Sequence, residues 1–229
     1  MIPWEVLGHA TVPGEEAPLV LARRGDEFVI RIGPHALMSS RTHGSEELLA
    51  ERVCVRIAGR TEARVLIGGL GMGFTLAAAL RHLRPDARVM MAELVPAVVE
   101  WNRHALAELA GRPLEDPRVA VHEGDVAEPI RDGEAVLDAI LLDVDNGPNG
   151  LTRAANDRLY SGAGLRAARR ALRPGGVLGV WSVAADRAFR GRLEEGGFEV
   201  EEQVVRARRT KGGRHTLWIA TRPCYDAVP

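Results

Sequence analysis

Four acids in this chain stand at or just beyond the end of an apolar run: Glu93 after residues 87–92, Asp125 after 119–122, and Asp143 with Asp145 after 135–142. Ahead of the first of them, the apolar run 63–67 leads into Gly68, Gly69, Gly71 and Gly73, four glycines among six residues. Glycines permit positive φ and leave the backbone bare, so a ligand can lie directly on such a turn, while the first amides of a following helix offer unpaired donors. An acid about twenty residues beyond the turn, at the tip of the next strand, suits a bidentate grip on ribose hydroxyls. The pattern points to a nucleoside-type ligand. Asp125, in Gly124-Asp125-Val126, is placed to accept from an adenine amino group, and Asp143 lies one strand further on, at the reactive end. The dinucleotide fingerprint G-x-G-x-x-G fits poorly, because Gly69, Gly71 and Gly73 alternate and Phe74 stands three places after Gly71. Asp143 and Asp145 could share a divalent cation, but no further acid or histidine has a spacing that completes such a site, so no metal is expected.

These residues need a scaffold that brings successive strand ends together, and the remaining pattern supplies one. Apolar runs 63–67, 87–92, 119–122, 135–142 and 177–181 alternate with helix-prone stretches 74–83, 96–110, 156–172 and 185–195. Strands that are apolar throughout belong to a parallel sheet covered on both faces. The last two strands, 198–205 and 215–221, are joined by Lys211-Gly212-Gly213-Arg214, too short for a crossover helix, and should pair as an antiparallel edge hairpin. Residues 1–44 differ: short alternating pieces divided by Pro13-Gly14, Arg24-Gly25-Asp26 and Gly33-Pro34 read as a small β-hairpin appendage. Ser45 is placed as the N-cap of a helix bearing Leu49, Val53 and Ile57 on one face, so the main domain is expected over 45–229.

The 229 residues are 46% hydrophobic, enough for a full core, and the formal net charge of -1 gives no overall pull toward nucleic acid or membrane surfaces. No run approaches the length of a bilayer span and the N-terminus lacks a basic segment followed by an apolar one, so a cytoplasmic protein is expected. Cys54 and Cys224 have no zinc-type spacing and read as structural or free thiols. Arg206, Arg208, Arg209, Lys211 and Arg214 form one dense basic stretch, which fits a solvated edge hairpin protected from aggregation; gripping RNA phosphates is the alternative.

The alternating glycines followed by an acid resemble the first motif of class I S-adenosylmethionine (SAM)-dependent transferases. The wider series LIGGLGMG, AEL, GDV, DAILLDVDNGP and LYSGAGLRAARRALRPGGVLGVWS is similar to the spermidine synthase (polyamine aminopropyltransferase) family, and LMSSRTHGSEELLAE resembles that family's substrate-gate segment. The resemblance implies a doubly wound, Rossmann-like SAM-methyltransferase fold with an N-terminal β domain, a cytoplasmic homodimer, and transfer of an alkyl group from a sulfonium donor to a small amine. It makes Gly68, Gly69, Gly71, Gly73, Glu93, Asp125 and Val126 the cofactor-binding set and Asp143 with Asp145 the catalytic acids. Glu46, Glu47 and Asn146 become the substrate-binding set. Gly71 stands where the family carries an aspartate for the amine of decarboxylated SAM, and Ser45-Glu46 stands where Tyr-His is typical. The first difference suits ordinary SAM, whose carboxylate an aspartate would repel. Aminopropyl and methyl transfer therefore both remain open, as do a methyltransferase acting on RNA or protein and a nucleoside-binding protein without catalysis.

Overall fold

The computed structural model describes residues 2–144, 147–148, 158–208 and 210–224. Its first four strands, β1 (Glu5–Ala10), β2 (Leu19–Arg24), β3 (Glu27–Ile32) and β4 (His35–Ser39), form an antiparallel meander in that order. Gly14, Gly25 and Gly33 turn the chain between them, all at positive φ. Helix α1 (Gly44–Ile57) then leads into the larger sheet.

That sheet contains β5 (Arg64–Gly68), β6 (Arg88–Glu93), β7 (Val119–Glu123), β8 (Leu137–Leu142), β9 (Leu172–Ser182), β10 (Glu199–Arg206) and β11 (Arg214–Thr221). Their spatial order is β10-β11-β9-β8-β5-β6-β7. Six strands point the same way, and β11 inserts antiparallel between β9 and β10, as the short link between the last two strands requires. Helices α2 (Phe74–His82), α3 (Pro96–Arg103), α4 (Ala127–Asp132), α5 (Gly162–Ala171) and α6 (Arg187–Glu195) are the crossovers among the described residues. The fold is the mixed α/β sheet expected from the alternation of apolar runs and helices.

Both faces of the sheet are dry at its central strands, β5 and β8. Val65, Ile67, Ala139 and Leu141 pack with α1, α2 and α3, while the intervening Leu66, Ile140 and Leu142 pack with α4, α5 and α6. With both neighbours of each residue buried, the strands cannot alternate polar and apolar, which explains their uninterrupted hydrophobic runs. Asp138 is the exception inside β8, and it is fully paired: Arg60 (2.6 Å), Arg173 (3.1 Å) and the Arg64 amide (2.8 Å) all donate to its carboxylate, far from the strand tips.

Three local expectations are corrected. Ser45 does not cap α1; the helix starts at Gly44, whose amide donates to the Ala207 carbonyl at the end of β10, and this tether places Ser45 inside the fold. The stretch 96–110 is not one helix. α3 stops at Arg103, where the buried Asn102 amide donates to Val98 O and to Gly71 O, and a separate 3₁₀ turn follows at Ala107–Ala110. Arg173-Pro174-Gly175-Gly176 lies within β9 as an irregularity, since Leu137 and Ala139 of β8 face Leu172 and Val177 across it.

Candidate active site

The chain runs outward from β5 through β6 to β7, then returns to the other side of β5 for β8. Such a reversal leaves a crevice at the carboxyl ends of the two strands where the order switches, here β5 and β8. Their loops carry the glycine turn and Asp143. Backbone bonds tie the rim together: Asp143 N to Gly68 O (3.0 Å), Gly69 N to Ala92 O (2.9 Å) and Gly124 N to Glu93 O (2.9 Å).

Glu93 is buried, and each of its oxygens accepts a backbone amide at 2.9 Å, Oε2 from Leu70 and Oε1 from Val95. Burial raises its pKa, and the amide bonds partly offset that rise. The acid therefore holds the glycine turn against the tip of β6, and it borders a hollow. Gly69, at φ 88°, has the Asp143 carbonyl where a Cβ would stand; Gly71, at φ 51°, has Met38 Sδ there, at 2.6 Å. Gly69, Gly71, Glu93, Asp125, Val126 and Asp143 all border this hollow.

Gly68 and Gly73 do not border it. Gly68 ends β5 with its Cβ position filled by Val126 Cγ2 at 2.7 Å, and Gly73 starts α2 at φ 83° against Asn102 Oδ1. Both are glycines because of close packing, and they shape the turn without facing its ligand side. Asp125 is exposed, and its Oδ1 caps α4 by accepting from Ala127 N at 2.8 Å, leaving the other oxygen available. The opposite wall is the small sheet: Leu19, Ile30, Ile32, Leu37 and Met38 reach over the strand ends. It docks on α3, where the Trp101 indole nitrogen lies 2.6 Å from the Cβ position of Gly8. An appendage read only as an antiparallel unit thus encloses the crevice.

A second, smaller chamber opens beside the first and shares Met38, Gly71 and Asp143 with it, adding Glu46 and Thr75. Asp143 is buried and accepts from Thr75 Oγ1 at 2.5 Å. Burial raises the Asp143 pKa, with the Thr75 bond pulling the other way. Glu46 is raised further, by burial first and then by the negative charge of Asp143. Two carboxyls so placed resist losing both protons. Glu47 points elsewhere, with His43 Nδ1 at 3.4 Å and an ion pair to Arg81 at 3.6 Å. Asp145 and Asn146 lie outside the described residues. Among the described residues no cluster of three His, Cys, Asp or Glu could hold a metal ion, and no helix is long and apolar enough to cross a membrane.

Residues 45–184 match the family model described as Spermine/spermidine synthase domain. The chain belongs to the spermine/spermidine synthase family. Two curated relatives are each named polyamine aminopropyltransferase. One, from Korarchaeum cryptofilum, is 30% identical over 115 residues and the other, from Nitrosomonas europaea, 36%; either match covers 50% of this chain and 34% of the relative. The chain thus matches about a third of the length of these relatives. Among solved structures, the spermidine synthase from Thermotoga maritima superposes with a TM-score of 0.71 over 96% of this chain and 73% of that one, at 17% identity, which is a likeness of fold. Within this spermine/spermidine synthase frame, sequence reasoning singled out neither Thr75 nor Met38 by number. Only Thr75 carried a signal, as a hydroxyl in the first turn after the glycines.

Proposed function

We propose that this protein transfers an aminopropyl group from decarboxylated SAM to a small amine. The observation that carries the reading is that Asp143 and Glu46 line one chamber that opens off the glycine-lined hollow. In the reading, the adenosyl part of the donor lies on Gly69 and Gly71, its ribose meets Glu93, and its adenine meets Asp125 beside Val126. The hydrophobic wall of the small sheet excludes water. The sulfonium needs orientation more than activation, whereas an amine arrives protonated and must lose a proton before its lone pair can attack. The ionised member of the carboxyl pair attracts the ammonium and takes that proton. The C–N bond then forms as the C–S bond breaks, and the bonding electrons go to sulfur, giving a neutral thioether. The same acids favour a donor tail ending in an ammonium and repel one ending in a carboxylate.

Methyl transfer from SAM is the second reading, favoured by Gly71. Met38 occupies the space a side chain at 71 would take, so no acid reaches the tail from the turn. Incubation with each donor and with putrescine or other amines, followed by mass spectrometry, separates the two. Release of methylthioadenosine with decarboxylated SAM supports aminopropyl transfer. Transfer only from SAM overturns it, and donor binding without turnover leaves a nucleoside-binding protein.

A further inference from the structure

We propose that Ser45 and His215 form a proton exit from the acid chamber, a relay running Glu46 to Ser45 to His215 and out toward the turn between β10 and β11. The inference rests on the amine-alkylation reading above. A protonated amine and a sulfonium react to give one alkylated ammonium, one neutral thioether and one free proton, so every turnover leaves a proton beside the chamber's acids. The chemistry needs a path for it.

The geometry around Ser45 supplies that path. Its side chain is fully buried, and Oγ has three partners: Trp181 Nε1 at 3.0 Å, Glu46 Oε2 at 2.5 Å and His215 Nδ1 at 2.8 Å. An indole nitrogen can only donate, so Ser45 accepts from Trp181. The hydroxyl has one hydrogen to give and two further partners, and both contacts are hydrogen bonds only if one of those partners brings a proton of its own. Either Glu46 is protonated and donates to Ser45, which donates to His215, or His215 carries hydrogen on Nδ1 and donates to Ser45, which donates to Glu46. Moving one proton along the line converts the first arrangement into the second. Trp181 holds the serine oxygen in place in both, and its ring packs edge-on against His215 at 4.7 Å.

The groups around the line keep its resting proton on Glu46 and make His215 a station that a proton only passes through. Asp143, from the tip of β8, and Glu47, from the same helix, both act on Glu46 and oppose its ionisation. Burial favours neutral His215, and among the described residues no charged side chain is ion-paired to its ring. A proton reaching Nδ1 therefore makes a cation that readily releases the hydrogen on its other nitrogen. That nitrogen lies 3.8 Å from the Cβ position of exposed Gly213, in the solvent-facing turn. Ser45 and His215 are positioning residues, acting on substrate only through Glu46.

Nitrogen NMR of protein labelled with ¹⁵N-histidine reads the relay without turnover, the His215 signals being assigned by their loss in His215→Phe. In the wild type, raising the pH through the ionisation of Glu46 moves the His215 hydrogen from Nε2 to Nδ1. Glu46→Gln, whose amide donates permanently to Ser45, locks the Nε2–H form and abolishes that step. Ser45→Ala abolishes it while leaving the carboxyl in place, and Ser45→Thr keeps it. Superimposable His215 titrations in wild type and Glu46→Gln overturn the relay. Where the wild type turns over an amine, His215→Ala lowers kcat about tenfold with KM unchanged, and added imidazole restores it; failure of imidazole to restore the rate also overturns the relay. No turnover with any donor and amine refutes the functional reading instead, and the titrations still decide whether the proton is shared.

Discussion

Asp143 and Glu46 illustrate how a carboxylate pair acquires properties that neither residue has alone. Each is raised by burial, and the second more because the first is near, which is how a carboxyl comes to exchange protons near neutral pH. Asp143→Asn is expected to lower kcat by about a hundredfold or more, the usual scale for losing a positioned base, with an unchanged melting temperature. The pH dependence of stability follows from Glu46. Its folded-state pKa lies above the unfolded value of 4.5, pushed up to about 8, so the folded state binds more protons between those limits. Stability is full below the lower limit and declines as pH rises through the upper one. Melting curves followed by circular dichroism between pH 5 and 9 should show that decline in the wild type, and Glu46→Gln should flatten it.

At the scale of elements, the glycine turn and the tip of β6 act as one unit, because Glu93 joins them through two backbone amides. Glu93→Gln presents an NH₂ group to one of those amides, donor against donor, so a loss of about 1–3 kcal/mol is expected in urea unfolding, together with weaker donor binding by calorimetry. Gly69→Ala places a methyl group against the Asp143 carbonyl at a φ that disfavours side chains. It should cost roughly 1–3 kcal/mol and displace Asp143, so kcat falls along with stability. Gly71 differs, because its obstacle is the flexible end of Met38. These outcomes distinguish glycines that border the hollow from Gly68 and Gly73, which border packed side chains. The spacing alone gave all four the same role.

Considered whole, the molecule divides its acids between two ends of one sheet. At the strand tips they border the hollow where the proposed chemistry would take place, whereas at the opposite end Asp138 is paired with two arginines and serves cohesion. Asp138→Ala leaves those arginines uncompensated and should destabilise by about 3 kcal/mol, while the dissociation constant of a bound nucleoside donor stays unchanged. The sequence by itself determined the doubly covered parallel sheet, its antiparallel ending and the acids at successive strand ends, because buried strands, turn glycines and short links are local, periodic signals. Only the tertiary structure decided that the first four strands wall the crevice, that Asp125 spends one oxygen on a helix cap, and that Ser45 meets His215 across 170 positions of chain. Contacts between distant segments depend on how whole elements dock, and nothing in the residues flanking a serine or a histidine records that docking.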